Sequence, residues 1–423
     1  MPQNRTKYII ATAGLLLFFC WYIYPTTSVK KNDTETTINK TKVIAEEISP
    51  PTPPKLPNKE FKKIINSYDH IIDSILKKNG TLGAAIAIIH NNKIKYINCH
   101  GLKNSKTKEP IDQHTVFRLA SVSKAVSGIL AGLLIEEDFI HLEDKVVDYL
   151  PNFELIDSTS TQNLNIMHLL THTSGMVPHA FDNLIEDNVS YARVIDKLNE
   201  VNVYASPGKL YGYQNVAFSL LDTITEVATN TSFEDLIESY VFTPFCMQDA
   251  SVGFEPFSNN KNKAYPHRKI GNKRFAQLKL NDHYYNTIPA AGINASLQDM
   301  SKFIQAILST NKSSQSSLTE TVFTPRINTP LRRSYLSKWG KVQSKHYGLG
   351  WRIIGYQDHS IAYHGGYVNG YKTEIAICEE EDFGIVYLSN SPDTSASFSV
   401  PTFLKLYFEA TAALEPKIDN SGV

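Results

Sequence analysis

The amino-acid sequence predicts an α+β fold, in which an antiparallel sheet is flanked by helices and accompanied by a helical subdomain. Strand-like segments lie near both ends of the main body of the chain, within residues 84–99 and 348–388. The apolar residues between them follow mainly the spacing of helices, and no internal repeat divides the chain. Strands that enclose a helical middle in this way are typical of an α+β sandwich with a helical insert.

The composition excludes several classes of partner. The 423 residues include 42 Lys and Arg and 42 Asp and Glu, so the net charge is zero and no nucleic acid is expected to bind. The four cysteines, Cys20, Cys99, Cys246 and Cys378, are far apart in sequence. They form no zinc-ligand spacing and no disulfide framework, although one pair could form a disulfide. We therefore expect no metal ion and no cofactor.

The first 24 residues are predicted to anchor the chain in a membrane rather than to join the fold. Residues 8–24 carry no charge and would span about 25 Å as a helix. No Ala-x-Ala cleavage site follows, whereas Trp21, Tyr22 and Tyr24 resemble an interfacial aromatic belt, so an uncleaved anchor is favoured over a cleaved signal peptide. We expect a protein of the bacterial inner membrane whose body is exported to the periplasmic side. Secretion after signal cleavage is the alternative.

A tether is predicted to connect this anchor to the body. Residues 25–57 are rich in Lys, Thr, Asn and Glu and end in a proline-rich run, a composition that cannot bury enough apolar area to fold. The body is expected at residues 58–414, followed by a short tail at 415–423. It begins with an amphipathic helix over residues 61–76, whose apolar residues recur at helical spacing.

A hairpin is predicted to follow this helix. Its strands are expected at residues 84–90 and 93–99, and Asn91 and Asn92 between them tolerate the positive φ of a tight turn. The remaining elements predicted by periodicity and turn residues are helices at 120–135, 142–150, within 190–250, at 297–308 and at 401–414, and strands at 348–354, 361–364, 371–377 and 383–388.

The helix predicted at 120–135 begins with a serine and an amine three residues apart, Ser121 and Lys124. Positions i and i+3 of a helix have β-carbons about 5–6 Å apart, so the lysine amine is expected to reach the serine oxygen. A desolvated amine with a lowered pKa can accept the proton of a serine and so activate it as a nucleophile. The pair is a candidate acyl-transfer centre, although the same spacing recurs elsewhere, for example at Ser74 and Lys77.

Three short motifs follow one another along the chain. They are Ser121-Val-Ser-Lys124, Tyr213-Gln-Asn215 and His364-Gly-Gly366. Serine β-lactamases and penicillin-binding DD-peptidases carry their signature elements in the same order. With the flanking stretches Leu169-Leu-Thr-His-Thr-Ser-Gly175 and Gly348-Leu-Gly-Trp351, these motifs make the chain resemble the class C β-lactamase-related serine hydrolases. This group also holds DD-carboxypeptidases, D-aminopeptidases and some esterases. The resemblance covers roughly residues 64–408 and implies the β-lactamase/transpeptidase-like fold.

The resemblance implies catalytic roles for the first two motifs. Ser121 would be the acylated nucleophile, and Lys124 would lower the cost of its deprotonation. Tyr213 would relay the proton to the leaving group. Asn215 would orient Lys124 and the substrate amide. The chain would then be an enzyme that transfers an acyl group from a small-molecule or peptide substrate to water.

The third motif, His364-Gly-Gly366, indicates which activities of the family are expected. His364 lies where many β-lactamases have the lysine of Lys-Thr-Gly, which favours a DD-peptidase, D-aminopeptidase or esterase over a true β-lactamase. Gly365 and Gly366 would leave room for a substrate against the strand edge. Backbone N–H groups of Ser121 and Tyr367 would form the oxyanion hole. A true β-lactamase and a non-catalytic scaffold or sensor with the same fold are the alternatives, and the oligomeric state is left open.

Two further sets of residues receive a structural interpretation. Tyr211 is expected to be a core aromatic residue. His168 and His172 have the i, i+4 spacing of metal ligands, but the intervening Leu-Leu-Thr lacks the glutamate that a zincin uses as its base. Metal binding by this pair is therefore disfavoured.

Overall fold

A computed structural model gives the structure of the protein. The residues that it describes are 56–271, 274–310, 317–330 and 336–414. All of them lie within one unit of the chain, Pro53–Val423. The anchor predicted at 1–24, most of the tether at 25–57 and the tail at 415–423 lie outside the described residues and stay predictions. In the described ranges, no helix has the length and apolar content needed to cross a membrane.

An eight-stranded antiparallel sheet forms the centre of the described structure. In chain order, the strands of the described residues are β1 (Gly83–His90), β2 (Lys93–Gly101), β3 (Val116–Arg118), β4 (Ser251–Val252), β5 (His267–Gly271), β6 (Arg274–Gln277), β7 (Ile293–Ser296), β8 (Ile327–Asn328), β9 (Val342–Tyr347), β10 (Arg352–Tyr356), β11 (His359–Val368), β12 (Tyr371–Cys378) and β13 (Phe383–Ser389). The large sheet has the order β2-β1-β13-β12-β11-β10-β9-β8, while β3-β7-β4 and β5-β6 form two small sheets. Strands from both ends of the body therefore pair in one sheet, as the sequence predicts.

Most of the helices lie between β3 and β7 in sequence, together with the short strands β4 to β6, and helices cover the large sheet. Within the described residues they are α1 (Asn58–Asn79), α2 (Ser123–Glu136), α3 (Val146–Tyr149), α4 (Ser158–Asn163), α5 (Ile166–Leu170), α6 (Asp182–Glu186), α7 (Tyr191–Asp196), α8 (Asn215–Thr229), α9 (Phe233–Ile237), α10 (Phe254–Asn259), α11 (Ile288–Ala291), α12 (Leu297–Thr310), α13 (Leu318–Phe323) and α14 (Ala396–Ala412). Helices α2 to α11 lie between β3 and β7 in sequence, so they correspond to the helical insert that the periodicity predicts.

Helices cover the centre of the sheet on both faces, and β1 shows how a strand is buried there. Its side chains alternate between two apolar cores. Ile86 lies in one core with Tyr68 of α1 and Phe403 of α14. Ala87 and Ile89 belong to the other core, which also contains apolar residues of α2 and α12. Because helices cover each face, every residue of β1 is buried and the strand carries no alternation of apolar and polar residues.

The first and last helices extend beyond their predicted bounds. Helix α1 begins three residues earlier than predicted and ends where Gly80 adopts a left-handed φ of 62°. Helix α14 begins at Ala396 rather than at Pro401. A proline inside a helix removes one backbone donor, and here the buried Val400 and Phe403 on either side of it pack the helix against the sheet.

Backbone-to-backbone packing fixes the start of α2 beside the connection between β9 and β10. A β-carbon on Gly128 would lie 2.1 Å from the carbonyl oxygen of Leu349, and one on Gly350 would lie 2.2 Å from that of Lys124. The strand predicted in this region begins only at Arg352, because Gly350 has a φ of 75° and belongs to the turn that makes this approach.

Candidate active site

Ser121 lies on a 3₁₀ turn, Ala120–Val122, that leads into α2. Ala120 and Val122 are buried, whereas Ser121 is partly exposed and lines a cleft. Ala120 has a φ of 50°, in the left-handed region that costs a non-glycine residue about 1–2 kcal/mol. Strained backbone of this kind clusters at functional sites, and here it places Ser121 in the cleft wall.

Lys124, on the first turn of α2, is fully buried. Its Nζ atom donates hydrogen bonds to Asn215 Oδ1 at 2.6 Å and to the carbonyl oxygen of Ala290 at 3.1 Å. Among the described residues, no hydrogen bond joins Nζ to the Ser121 hydroxyl. Burial lowers the pKa of Lys124 well below its usual value, and the charge of Arg352 lowers it further. A neutral amine has two N–H bonds and one lone pair, so both donors are used and the lone pair is left.

Asn215 connects Lys124 to a carboxylate that the sequence analysis did not find. Asn215 is the first residue of α8, and its Nδ2 atom donates to both carboxylate oxygens of Asp182 at 3.0 Å. His179 Nδ1 lies 2.8 Å from Asp182 Oδ2. The charge of Asp182 favours protonated Lys124 and so opposes the effect of burial on the lysine pKa. Asp182 precedes Asn215 by 33 residues and belongs to no motif, so no sequence pattern indicated it.

Tyr213 lies beside the amine of Lys124 and the guanidinium group of Arg352, and it forms a hydrogen bond with Ser121. Lys124 Nζ is 4.7 Å and Arg352 Cζ is 5.3 Å from the centroid of the Tyr213 ring. Burial raises the pKa of Tyr213 to about 12, although the charge of Arg352 and a hydrogen bond with Ser121 act in the opposite direction. Tyr213 is therefore a neutral phenol at pH 7 and has a proton to donate.

His364 lies in β11 and is fully buried. Its Nε2 atom is 3.3 Å from a guanidinium nitrogen of Arg352 and 2.9 Å from Tyr347 Oη. Because guanidinium only donates, Nε2 accepts, and the ring proton lies on Nδ1, 3.1 Å from the Gly365 carbonyl oxygen. Burial, then the charge of Arg352, lowers the pKa of His364 well below its usual value. Arg352 and Gly365 line the cleft but His364 does not, so beside His364 the positive charge of the wall is carried by Arg352.

A second buried histidine continues this network. His172 Nδ1 accepts a hydrogen bond from the backbone N–H of Gln214 at 3.2 Å, which leaves the Nε2 proton for Tyr347 Oη, also at 3.2 Å. The Tyr347 hydroxyl in turn donates to His364 Nε2. Burial lowers the pKa of His172 well below its usual value, so both rings are neutral. The chain from His172 through Tyr347 fixes the tautomer of His364 and thereby supports Arg352.

The structure shows the surroundings of His168, His172 and Tyr211, which were expected to have structural roles. His168 Nδ1 accepts a hydrogen bond from the backbone N–H of Asn165 at 3.3 Å, so His168 and His172 bond to separate partners. Tyr211, which was expected in the core, is only partly buried and lines the cleft. Its ring stands edge-on to His172, with 6.0 Å between the centroids, so the prediction for Tyr211 was wrong in placing it away from the site.

One edge of β11 is open where the strand passes Ser121. Strand β10 pairs with β11 only as far as Tyr363, so residues 364–368 pair with β12 alone among the described strands. A β-carbon on Gly366 would lie 3.0 Å from the backbone nitrogen of Ser121. Glycine at this position therefore lets the strand edge approach the turn. The two predicted oxyanion donors, the N–H groups of Ser121 and Tyr367, belong to the segments that meet here.

These segments border a cleft of about 420 Å³. The residues that line it are Ser121, His179, Tyr211, Tyr213, Thr329, Pro330, Lys345, Arg352, Tyr363, Gly365, Gly366, Tyr367 and Lys372. Lys345, Arg352 and Lys372 are cationic, and no carboxylate is among the described residues that line the cleft. Behind the wall, buried Glu374 lies 3.9 Å from Lys372 Nζ, and burial raises the pKa of Glu374 to about 7. The charge of the cleft favours a substrate with an anionic group.

Comparison with known proteins identifies the family. A model of the Beta-lactamase family matches residues 68–406. The chain belongs to the β-lactamase family. The β-lactamase of Yersinia enterocolitica is 24% identical over 252 residues, which cover 60% of this chain and 61% of that protein. Penicillin-binding protein 4* of Bacillus subtilis (strain 168) is 27% identical over 332 residues, 74% of this chain and 68% of that protein. The chain thus spans about three fifths of the length of the Yersinia relative.

A solved structure shows the same fold. The octameric penicillin-binding protein homologue from Pyrococcus abyssi matches this β-lactamase family chain with a TM-score of 0.69 and 20% sequence identity, over 81% of this chain and 77% of that chain. This likeness confirms the predicted β-lactamase/transpeptidase-like α+β fold. The family match confirms the resemblance that the three motifs carry, and with it the general class of β-lactamase and penicillin-binding serine hydrolases.

Proposed function

We propose that this chain is a serine hydrolase that cleaves an amide or ester through an acyl-enzyme on Ser121. The observation that carries the proposal is the convergence of three separate elements on one cleft. Ser121 lies in the wall, the buried amine of Lys124 is held by Asn215, and the neutral phenol of Tyr213 lies beside both. A nucleophile, a base and a proton donor next to an open strand edge suit acyl transfer.

In the acylation step, the Ser121 oxygen attacks the substrate carbonyl carbon, and its proton passes to the lone pair of Lys124. Backbone N–H groups of Ser121 and Tyr367 stabilise the negative oxygen of the tetrahedral intermediate. When this intermediate collapses, the bond to the leaving group breaks and the leaving group takes a proton from Tyr213. The proton on Lys124 then returns to Tyr213, so the acyl-enzyme forms with no net change in the protonation of the site.

In the deacylation step, water takes the place of the leaving group. One proton of the water passes to the same Lys124 and Tyr213 pair as its oxygen attacks the acyl carbon. The ester bond to Ser121 breaks, and the serine oxygen recovers a proton from this pair. The products are a carboxylic acid and the free enzyme. The rate of this second step decides whether an acylating drug is trapped or destroyed.

The charges of the cleft narrow the substrate class. Within the described part of the chain, Lys345, Arg352 and Lys372 line it without a carboxylate, so an anionic group on the substrate gains favourable electrostatic energy there. A peptide that ends in a carboxylate meets this requirement, which favours a DD-peptidase. A D-aminopeptidase substrate would bring a positive amine into the same field. An esterase acting on an acidic ester fits as well as a DD-peptidase.

A second candidate function is β-lactam hydrolysis. It is favoured by the similarity to the β-lactamase of Yersinia enterocolitica and by the anionic carboxylate that penicillins carry. The two candidates share the acylation step on Ser121 and differ in how quickly the acyl-enzyme is hydrolysed.

We also propose that residues 1–24 anchor the protein in the bacterial inner membrane, with the hydrolase domain on the periplasmic side. The uncharged run at residues 8–24 supports this. An anchored chain stays in the membrane fraction after a high-salt wash and leaves it only with detergent. Release by salt alone, or a mature chain that lacks residues 1–24, would contradict the anchor.

The test of the hydrolase proposal is intact-protein mass spectrometry of the full-length chain, mixed with benzylpenicillin or, separately, with a fluorophosphonate. A persistent penicilloyl adduct on Ser121 indicates a penicillin-binding DD-peptidase, and rapid loss of the drug without an adduct indicates a β-lactamase. Labelling by the fluorophosphonate alone indicates an esterase. Ser121→Ala should abolish all labelling. Ser74→Ala, which removes an exposed serine with the same spacing to Lys77, should react like the wild type. A folded wild-type chain that neither takes a label nor consumes the drug would overturn the proposal.

A further inference from the structure

Two neighbouring strands of the large sheet bring three side chains of metal-ligand type together, away from the cleft. His359 is the first residue of β11, Cys378 is the last residue of β12, and Glu380 lies in the turn that follows. In the register of these strands Ala362 pairs with Ile377, and its continuation places His359 opposite Glu380. One nitrogen, sulfur or oxygen atom from each of the three side chains lies within 4.8 Å of the other two.

We propose that His359, Cys378 and Glu380 bind a divalent transition-metal ion, for which Zn²⁺ is the best match. Zn²⁺ accepts this mixed set of imidazole, thiolate and carboxylate ligands at about 2.0–2.3 Å, so the ligand atoms of a tetrahedral site are roughly 3.3–3.8 Å apart. His359 Nδ1 and Glu380 Oε2 are already 3.0 Å apart. The widest separation in the cluster has to shrink by only about 1 Å to reach the tetrahedral range. The Glu380 side chain is 52% exposed and can rotate to achieve this.

Neighbouring residues hold the ligands in place. The His359 ring stacks on Phe408 of α14, with 4.3 Å between centroids and 24° between planes. Glu381 would supply a carboxylate as the fourth ligand or as an outer partner, since its Oε1 atom is 3.9 Å from His359 Nδ1. Its Oε2 atom accepts a hydrogen bond from Tyr407 Oη at 2.9 Å. Side chains that orient the ligands in this way are a regular part of protein metal sites.

The charges of the cluster also favour a cation. Residues 379–382 are four consecutive acids. A bound divalent ion would offset this negative charge.

The site would be structural rather than part of the hydrolase. None of its three ligands lines the cleft. Metal binding would join the turn before β11 and the turn after β12 and would hold both against α14. The sequence analysis expected no metal because the cysteines have no zinc-ligand spacing. Only the pairing of β11 with β12 brings positions 359, 378 and 380 together.

The test is a titration of the reduced, metal-free full-length chain with Co²⁺, which reports a thiolate ligand by an intense sulfur-to-cobalt absorption band in the near ultraviolet. We expect one equivalent of Co²⁺ to produce the band, one equivalent of Zn²⁺ to displace it, and Zn²⁺ to raise the midpoint of thermal unfolding. Cys378→Ser should abolish the band. Glu381→Gln should weaken binding by about 10- to 100-fold, the usual effect of losing an outer partner.

Matched controls make the result decisive. Cys246→Ser removes an exposed cysteine, and His114→Gln removes a histidine whose Nδ1 lies 2.8 Å from the Asp249 carboxylate with no thiol at the pair. Both variants should keep the band. Should buried Cys378→Ser fail to fold, His359→Gln provides the same test at a partly exposed position. A folded chain without the band, or a band that survives both substitutions, would overturn the site and leave His359 and Glu380 as a hydrogen-bonded pair only.

Discussion

Two Ser-x-x-Lys pairs in this chain share their spacing and differ in their surroundings. Ser74 lies on the exposed side of α1, and the Lys77 side chain is 69% exposed and forms an ion pair with Asp73 at 2.6 Å. Lys124 is fully buried, and Ser121 lines a cleft. Spacing fixes only the proximity of the two side chains. The removal of water from the amine is what lowers its pKa enough to let it act as a base.

The largest expected effect on kcat/KM comes from replacing Lys124 with a residue that offers no lone pair to Ser121. Lys124→Arg should lower kcat/KM by about 10²- to 10⁴-fold, because a guanidinium group stays protonated and offers no lone pair to Ser121. Lys124→Met, which also lacks a base, should show the same loss. The measurement is kcat/KM on an ester or peptide that the wild type cleaves, with circular dichroism to check folding. Lys77→Arg is the matched control and should leave kcat/KM unchanged. Wild-type activity in folded Lys124→Met would show that another group deprotonates the serine.

The next effect tests the buried network behind the cleft. Tyr347→Phe removes the hydroxyl that joins His172 to His364 and leaves a buried N–H group unpaired. The free energy of unfolding in urea should fall by about 1–3 kcal/mol, and kcat/KM should fall because the support of Arg352 is weakened. Tyr68→Phe removes another buried hydroxyl, which bonds to Ser399 at 2.8 Å, and should lower stability without lowering activity. Equal kcat/KM values for Tyr347→Phe and Tyr68→Phe would show that the buried network does not contribute to catalysis.

A smaller effect concerns pH. Asp182 favours protonated Lys124, so Asp182→Asn should lower the pKa of Lys124 further. The neutral amine then forms at lower pH, and the acidic limb of the pH profile of kcat/KM should move to lower pH, by up to about one unit. Asp73→Asn, which removes the carboxylate beside Lys77, should leave the profile in place. A shift of the limb to higher pH would contradict the electrostatic role of Asp182.

The smallest effect is expected at the exposed pair itself. Lys77→Met breaks the ion pair with Asp73, which lies one helical turn away. The free energy of unfolding should change by only about 0.3–0.5 kcal/mol, since water solvates both charges and salt screens them. Urea denaturation at low and high salt measures this difference. A decrease in the free energy of unfolding above about 1 kcal/mol would mean that solvent exposure does not account for the difference between the Lys77 and Lys124 pairs.

The sequence was a good guide where structure depends on local pattern. The hairpin of β1 and β2 forms as predicted, with Asn91 and Asn92 at φ values of 51° and 55°. Strand β9 was missed because its middle residues, Gln343 to His346, are all polar and carry no apolar alternation. The helix predicted at 142–150 reduces to the single turn of α3, since a short apolar run does not fix where a helix begins.

The candidate site, like the fold, could be predicted from the sequence only in part. The residues within each motif are close together in sequence, and the resemblance to a known family pointed to them. Asp182, Arg352 and Tyr347 could not be predicted, since each reaches the site through packing between elements that are distant in the chain. The cation at the cleft wall illustrates the reason. The motif pointed to His364, but burial keeps that ring neutral, so Arg352 carries the positive charge. Arg352 lies in β10 and His364 in β11, and only the pairing of these strands brings the two residues together.

The contact of Gly128 with the connection before β10 has a consequence for how this protein can be altered. A single added methyl group at Gly128 or at Gly350 meets a carbonyl oxygen at 2.1 or 2.2 Å. The helix that carries Lys124 would have to move away from the strand that carries Arg352. Two residues with no side chain thus act as a spacer that sets the separation of the amine and the guanidinium group. A mutational library aimed at new substrates should hold both positions constant and vary the cleft wall around them.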